Sequence, residues 1–211
     1  MLYKETVSQT TLELIKTLQK DSKFKGFLLV GGTALSLQIG HRISVDIVFF
    51  TQEDFDVNEM LEYLEQQYSF EMQYSRKNTL KGLIKGVFVD FISHNYKMIA
   101  SPIKEQDIQM ASKPDIAAMK INAITGDGTR VKDFIDVFFL LRDYSFSDLI
   151  HFYKLKYQTR NDFHAVKSLT YFEDVIPENW PIMMKEKNLT LEEVRKKIEA
   201  ERDKYLKSLA S

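Results

Sequence analysis

Hydrophobic and polar positions change their period about halfway along this chain. Up to about residue 95, short apolar runs alternate with amphipathic stretches; from Ser112 onward apolar residues recur at helical spacing. Val7, Leu14, Ile15 and Leu18 predict one helical face within residues 4–20. Phe27 to Val30 is long enough only for a buried strand, which Gly31-Gly32 ends. Thr33 is expected to cap a short helix through Ile39, with Gly40 as its stop. Residues 43–50 predict a strand. Ile43, Val45, Ile47 and Phe49 face one way, and Ser44, Asp46, Val48 and Phe50 the other. Residues 56–68 read as an amphipathic helix, and 70–75, 79–84 and 87–93 as strands. Lys85-Gly86 turns the second of these into the third, where Asp90 shares a face with Phe88 and Ile92.

In the second half, Ser112, Pro114 and Asp115 signal a helix start and Gly126 a stop. Further helices are expected from about Arg130, Ser147 and Asn161, with a break at Pro177 and Pro181. Thr190 and Glu193 make a capping box for a last helix over 191–209, with Leu191, Val194, Ile198, Tyr205 and Leu209 on one face. The prediction is an α+β protein: a mixed sheet with helices over 1–105, followed by a helical domain over 106–211.

Composition narrows the partners. The chain has 211 residues, enough for an ample core, and its net charge of −1 offers no global basic field to nucleic acid. Any RNA contact must come from a local patch. Without cysteine there is no disulfide or thiol-ligated metal, which fits a reducing compartment. No apolar run reaches the length of a membrane span, and the polar N-terminus lacks a signal-peptide core. A cytoplasmic protein with no membrane partner is expected.

Functional features converge between Leu28 and Phe50. A strand, a glycine turn and a helix N-terminus make an anion cradle, with Gly31, Gly32 and Thr33 presenting backbone N–H groups. Asp46 interrupts an otherwise apolar strand, where a carboxylate is costly unless it is paired or bound to a cation. Asp90 does the same in a second strand, and two such carboxylates can converge on one divalent ion. Arg42 is placed to meet a phosphate, although an exposed turn arginine is nearly as good a reading. Lys120 and Asp136 each lie in a largely apolar helix, so they should pair or face a polar site. A structural ion pair fits them as well as catalysis does. Asp133 lies one turn before Asp136 and either joins its face or stays exposed. The four histidines lack metal-ligand spacing. The aromatic and basic residues between Tyr153 and Phe172 read as core plus ordinary surface rather than an RNA face.

Three runs, GGTALSLQIGHRISVDI from Gly31, VDFIS at 89–93 and DIAAMKINAITGDGTRVKDFIDVFFLL at 115–141, resemble the AbiEii/AbiGii nucleotidyltransferase-like toxins. Those toxins belong to the polymerase-β-type nucleotidyltransferase superfamily, and the likeness spans about residues 20–145 in order. It implies a nucleotidyltransferase-type sheet whose helical domain completes the site. It also implies transfer of a nucleotidyl group from an NTP to an acceptor such as tRNA or another RNA, and a cognate antitoxin. By this resemblance Gly31, Gly32, Thr33 and Arg42 hold the nucleotide phosphates. Asp46 and Asp90 bind Mg2+ (or Mn2+), and Lys120 meets the triphosphate or acceptor. Asp136, with Asp133, acts as a base or orienting group. The family pattern in the second strand is Asp-x-Asp, whereas this chain reads Asp46-Ile47-Val48. An aliphatic side chain cannot ligate a hard cation. A rival expectation is therefore a catalytically impaired member that binds nucleotide or protein. An antibiotic-modifying nucleotidyltransferase is a third, less well matched by these motifs.

Overall fold

Side chains cap five of the eight α-helix starts among the described residues, and one of the three uncapped ones matters for the site. The structure, a computed structural model, describes residues 1–210. Ser8 caps α1 (Gln9–Lys20) through the Thr11 N–H, and Asp56 caps α3 (Val57–Tyr68) through the N–H groups of Asn58 and Glu59. Between them, β1 (Leu28–Val30) runs straight into α2 (Gly31–Ile39), whose start after Val30 carries no side-chain cap. The expected cap at Thr33 is corrected: Thr33 is the third helical residue. Gly40, in left-handed conformation, ends α2 as expected. The first predicted helix is likewise shorter, because residues 4–6 form a separate 3-10 turn.

The other strands are β2 (Ile47–Thr51), β3 (Glu71–Arg76), β4 (Thr79–Ile84), β5 (Val87–Ser93), β6 (Ile103–Glu105) and β7 (Ile108–Met110). They form one mixed sheet in the order β3-β4-β5-β2-β1-β7-β6. β2 runs antiparallel to β1 and parallel to β5, and β4 pairs antiparallel with β5. The strand predicted from residue 43 begins only at Ile47, so Asp46 stands just before β2 rather than in mid-strand, and Val45 is exposed. One sheet face carries the core. Ile47, Phe49, Val89 and Phe91 are fully buried there, and Phe91 stacks against both Phe24 and Phe49. The other face presents Val48, Phe50, Asp90 and Ile92, all half-buried.

The described chain divides into two compact units. One comprises Met1–Lys97 with Ser101–Ala111, and the other Met98–Ala100 with the chain from Ser112 onward. A cut after residue 105 would fall inside the β6–β7 hairpin, which belongs to the first unit. The second unit holds α4 (Lys113–Gly126), α5 (Val131–Leu140), α6 (Phe146–Tyr157), α7 (Phe163–Leu169) and α8 (Leu191–Ala210). Ser112 caps α4, and the Thr190–Glu193 capping box opens α8 as expected. Val194 and Ile198 bury the inner face of α8, while Leu209 is exposed rather than part of that face. No helix among the described residues is long and apolar enough to cross a membrane.

A polar cluster in the first unit gives its stability a defined pH dependence. Asp21 accepts the hydroxyls of Tyr63 and Tyr68 at 2.7 and 2.6 Å and the Lys23 N–H at 2.9 Å. Burial alone would raise the Asp21 carboxyl, but these hydrogen bonds and the Lys23 charge outweigh it and hold the pKa below its ordinary 3.8. Tyr68 is pushed upward, first by burial and then by its bond to Asp21; Tyr63 rises mainly through the same carboxylate. A depressed carboxyl stabilises the fold above its unfolded pKa, and that contribution is lost as pH falls through the folded value. Raised phenols contribute fully below the unfolded value of 10.0, and their contribution is lost as pH rises through the folded values. Urea midpoints should fall below about pH 4 and above about pH 10. The double variant Tyr63→Phe/Tyr68→Phe should flatten the alkaline fall. An unchanged alkaline profile would remove these phenols from the explanation.

Candidate active site

The glycine turn at the uncapped start of α2 lies against β2, the strand that Asp46 immediately precedes. Gly31 has φ +71, a conformation that favours glycine, and a Cβ on it would stand 3.9 Å from the Val48 side chain. Gly32 leaves room for a close side-chain approach. A Cβ there would overlap Arg42 Nη2 and lie 3.3 Å from Arg42 Cζ. Arg42 is buried, not the exposed turn arginine considered from sequence, and its Nη1 donates to the Ile43 carbonyl at 3.1 Å. A guanidinium thus lies directly behind the turn. Its charge adds to the partial positive charge of the helix start, which favours an anion by about 0.3–1 kcal/mol.

Thr33 has a different part from the one expected. Its hydroxyl donates to the backbone carbonyl of Asp46 and lies 2.9 Å from Ser44 Oγ. The first turn of α2 thereby holds the backbone of Asp46 in place. Asp46 immediately precedes β2 and lies two residues before Val48. Val48 pairs in register with Asp90 across the parallel β2–β5 ladder. On its other side Asp90 pairs with Lys81 of β4, whose Nζ lies 2.8 Å from Asp90 Oδ2. Gly31, Val48, Asp90 and Lys81 therefore follow one another across the face.

The donor set is specific about metal. Asp46 and Asp90 offer the hard oxygens that Mg2+ or Mn2+ prefers, but the in-register partner of Asp90 is the aliphatic Val48, which offers no donor. No cluster of three or more His, Cys, Asp or Glu positioned for a metal occurs among the described residues. By donor chemistry alone, two carboxylates suffice for a single divalent ion that draws its other ligands from water and phosphate. They do not fit two ions.

Lys120, Asp133 and Asp136 come together in the second unit. Lys120 Nζ, on α4, lies 2.6 Å from both Asp133 Oδ1 and Asp136 Oδ2 on α5, and all three side chains are buried. Arg130 Nε reaches the other Asp133 oxygen at 3.3 Å. The expected pairing of Lys120 with Asp136 is present, and Asp133 is buried rather than exposed. Two further charges escaped the sequence reading. Lys156 Nζ of α6 lies 2.8 Å from Asp115 Oδ1, both side chains being fully buried. Asp115 also accepts the N–H groups of Ile99 and Ala100 and the Ser112 hydroxyl.

A glycine turn entering a helix, beside a mixed sheet with one carboxylate just ahead of β2 and another on the adjacent β5, is the arrangement of a nucleotidyltransferase fold. The chain belongs to the AbiEii nucleotidyl transferase toxin family of type IV toxin–antitoxin systems, whose model matches residues 13–80 and 83–211. That family implies NTP substrates, divalent metal and an antitoxin partner. An uncharacterized protein of Aquifex aeolicus, aq_aa25, is 37% identical over 158 residues, which is 72% of this chain and 76% of that one. Among solved structures, JHP933 from Helicobacter pylori is 16% identical, with a TM-score of 0.56 over 97% of this chain and 95% of that one. A second H. pylori protein, provisionally described as a nucleotidyltransferase, is 17% identical, with a TM-score of 0.54 over 96% and 98% of the two chains.

Proposed function

We infer that this protein is the toxin of a toxin–antitoxin pair and transfers a nucleotidyl group from an NTP to an RNA acceptor such as tRNA. The observation that carries this reading is the uncapped Gly31-Gly32 turn packed on Val48, with Asp90 in register one strand away. The N–H groups of Gly31 and Gly32 bind phosphate oxygens, with Arg42 behind them. Thr33 positions Asp46, and Asp46 and Asp90 hold one Mg2+ or Mn2+. The acceptor hydroxyl releases its proton to water as its oxygen bonds to the α-phosphorus, and the bond to the bridging oxygen breaks, its electron pair leaving with pyrophosphate. A bound divalent ion neutralises charge that develops on the phosphates. Lys120, Asp133 and Asp136 serve the helical unit as a buried ion cluster.

Val48 favours a second reading, a member that binds nucleotide without efficient transfer. Label transfer separates the two. Full-length protein incubated with each α-32P NTP, Mg2+ and total tRNA should label RNA, and Asp90→Asn should abolish the label. If the wild type binds NTP yet labels no RNA, the binding-module reading replaces the transferase.

A further inference from the structure

Asp90 has unusual neighbours for a metal ligand. Its in-register partner on β2 is the aliphatic Val48, and its partner on β4 is a lysine. Cross-strand partners project from the same face of a sheet, so Lys81 shares the face on which Gly31 meets Val48. Its side chain is 39% exposed, within reach of a ligand, while its ammonium sits 2.8 Å from the Asp90 carboxylate. The face thus lacks an anion at Val48 and holds a cation at Lys81.

The geometry points to Lys81 as a nucleotide-binding residue whose ammonium supplies, beside Asp90, positive charge that a second divalent ion would otherwise bring. This rests on the nucleotide-site reading above and adds to it. One side of the site then has the Gly31-Gly32 N–H groups backed by Arg42, and the other has the Lys81 ammonium. A triphosphate lying between them meets positive charge from the protein at both ends. An ammonium is a compact point charge on a flexible stem, so it can keep Asp90 and still reach a non-bridging phosphate oxygen. With protein cations in place, triphosphate binding depends less on metal than in a site built from carboxylates alone.

The test is isothermal titration of the full chain with each NTP, in EDTA and in Mg2+, for wild type, Lys81→Met and Lys81→Arg. The pair is partly exposed, and an unchanged thermal midpoint for Lys81→Met verifies its fold. The wild type should bind in EDTA, Lys81→Met should bind about tenfold more weakly there, and Lys81→Arg should retain most of the affinity. Wild-type binding that vanishes in EDTA, with Lys81→Met equal to wild type in Mg2+, would overturn the role of Lys81 and leave the nucleotide site standing. Absence of NTP binding by the wild type in both buffers would overturn the nucleotide site itself.

Discussion

Val48→Asp is expected to make this protein a stronger metal binder, a faster transferase and a less stable apoprotein. The new carboxylate would stand between Gly31 and Asp90, two residues along the chain from Asp46. That restores the Asp-x-Asp pattern and a third oxygen donor. A completed ion site supplies several kcal/mol of charge stabilisation in the transition state, so label transfer should rise by about 100-fold. Without metal the same change should cost about 2 kcal/mol of folding stability, because a half-buried valine becomes a charge beside another carboxylate. Metal that binds only the folded state restores about 2.7 kcal/mol at 100 times its Kd. Thermal midpoints should therefore fall in EDTA and recover in Mg2+ for Val48→Asp, while the wild type changes far less. A variant whose midpoint ignores Mg2+ and whose transfer equals wild type would show that position 48 is not at the metal.

Lys156→Met should be the most destabilising single change in the helical unit. Lys156 and Asp115 are both fully buried, and Asp115 gathers the Ile99 and Ala100 N–H groups at 2.9 and 3.2 Å and the Ser112 hydroxyl at 2.6 Å. One carboxylate thus ties residues 98–100 to the start of α4 and to α6. Removing only the cation leaves that carboxylate buried with hydrogen bonds but no countercharge, a loss of about 3–5 kcal/mol. Adding Asp115→Asn removes the stranded charge and should recover part of the loss. Urea unfolding of the three proteins measures this. A loss below about 1 kcal/mol for Lys156→Met would place the pair in the range of surface ion pairs.

Much of this architecture was legible because its signals are local. Gly31-Gly32 after an apolar strand marked the turn, and lone charges in apolar helices marked the Lys120 and Asp136 pairing. What was missed needed partners distant in sequence. Lys156, beside Lys154 and two tyrosines, looked like surface, because its burial is decided by Asp115 forty-one residues earlier. Asp115 itself carried a helix-start signal that masked its role as a buried anion. The β6–β7 hairpin escaped because three-residue strands show no period, and its turn is Gln106-Asp107, without glycine. Arg42 looked exposed because nothing local says that it lies behind Gly32. Lys81 was within reach of the sequence. A two-residue Lys85-Gly86 turn pairs Ile84 with Val87, and counting back from there pairs Lys81 with Asp90.

One nucleotide site formed by the glycine turn, Asp46 and Asp90 is most directly tested by hydrogen–deuterium exchange of the full chain with and without NTP and Mg2+. Nucleotide should slow exchange over residues 30–36, 46–49 and 88–91, and leave peptides from β3 and the end of α8 unchanged. Protection confined to other segments, with those three stretches unaffected by saturating nucleotide, would contradict the site.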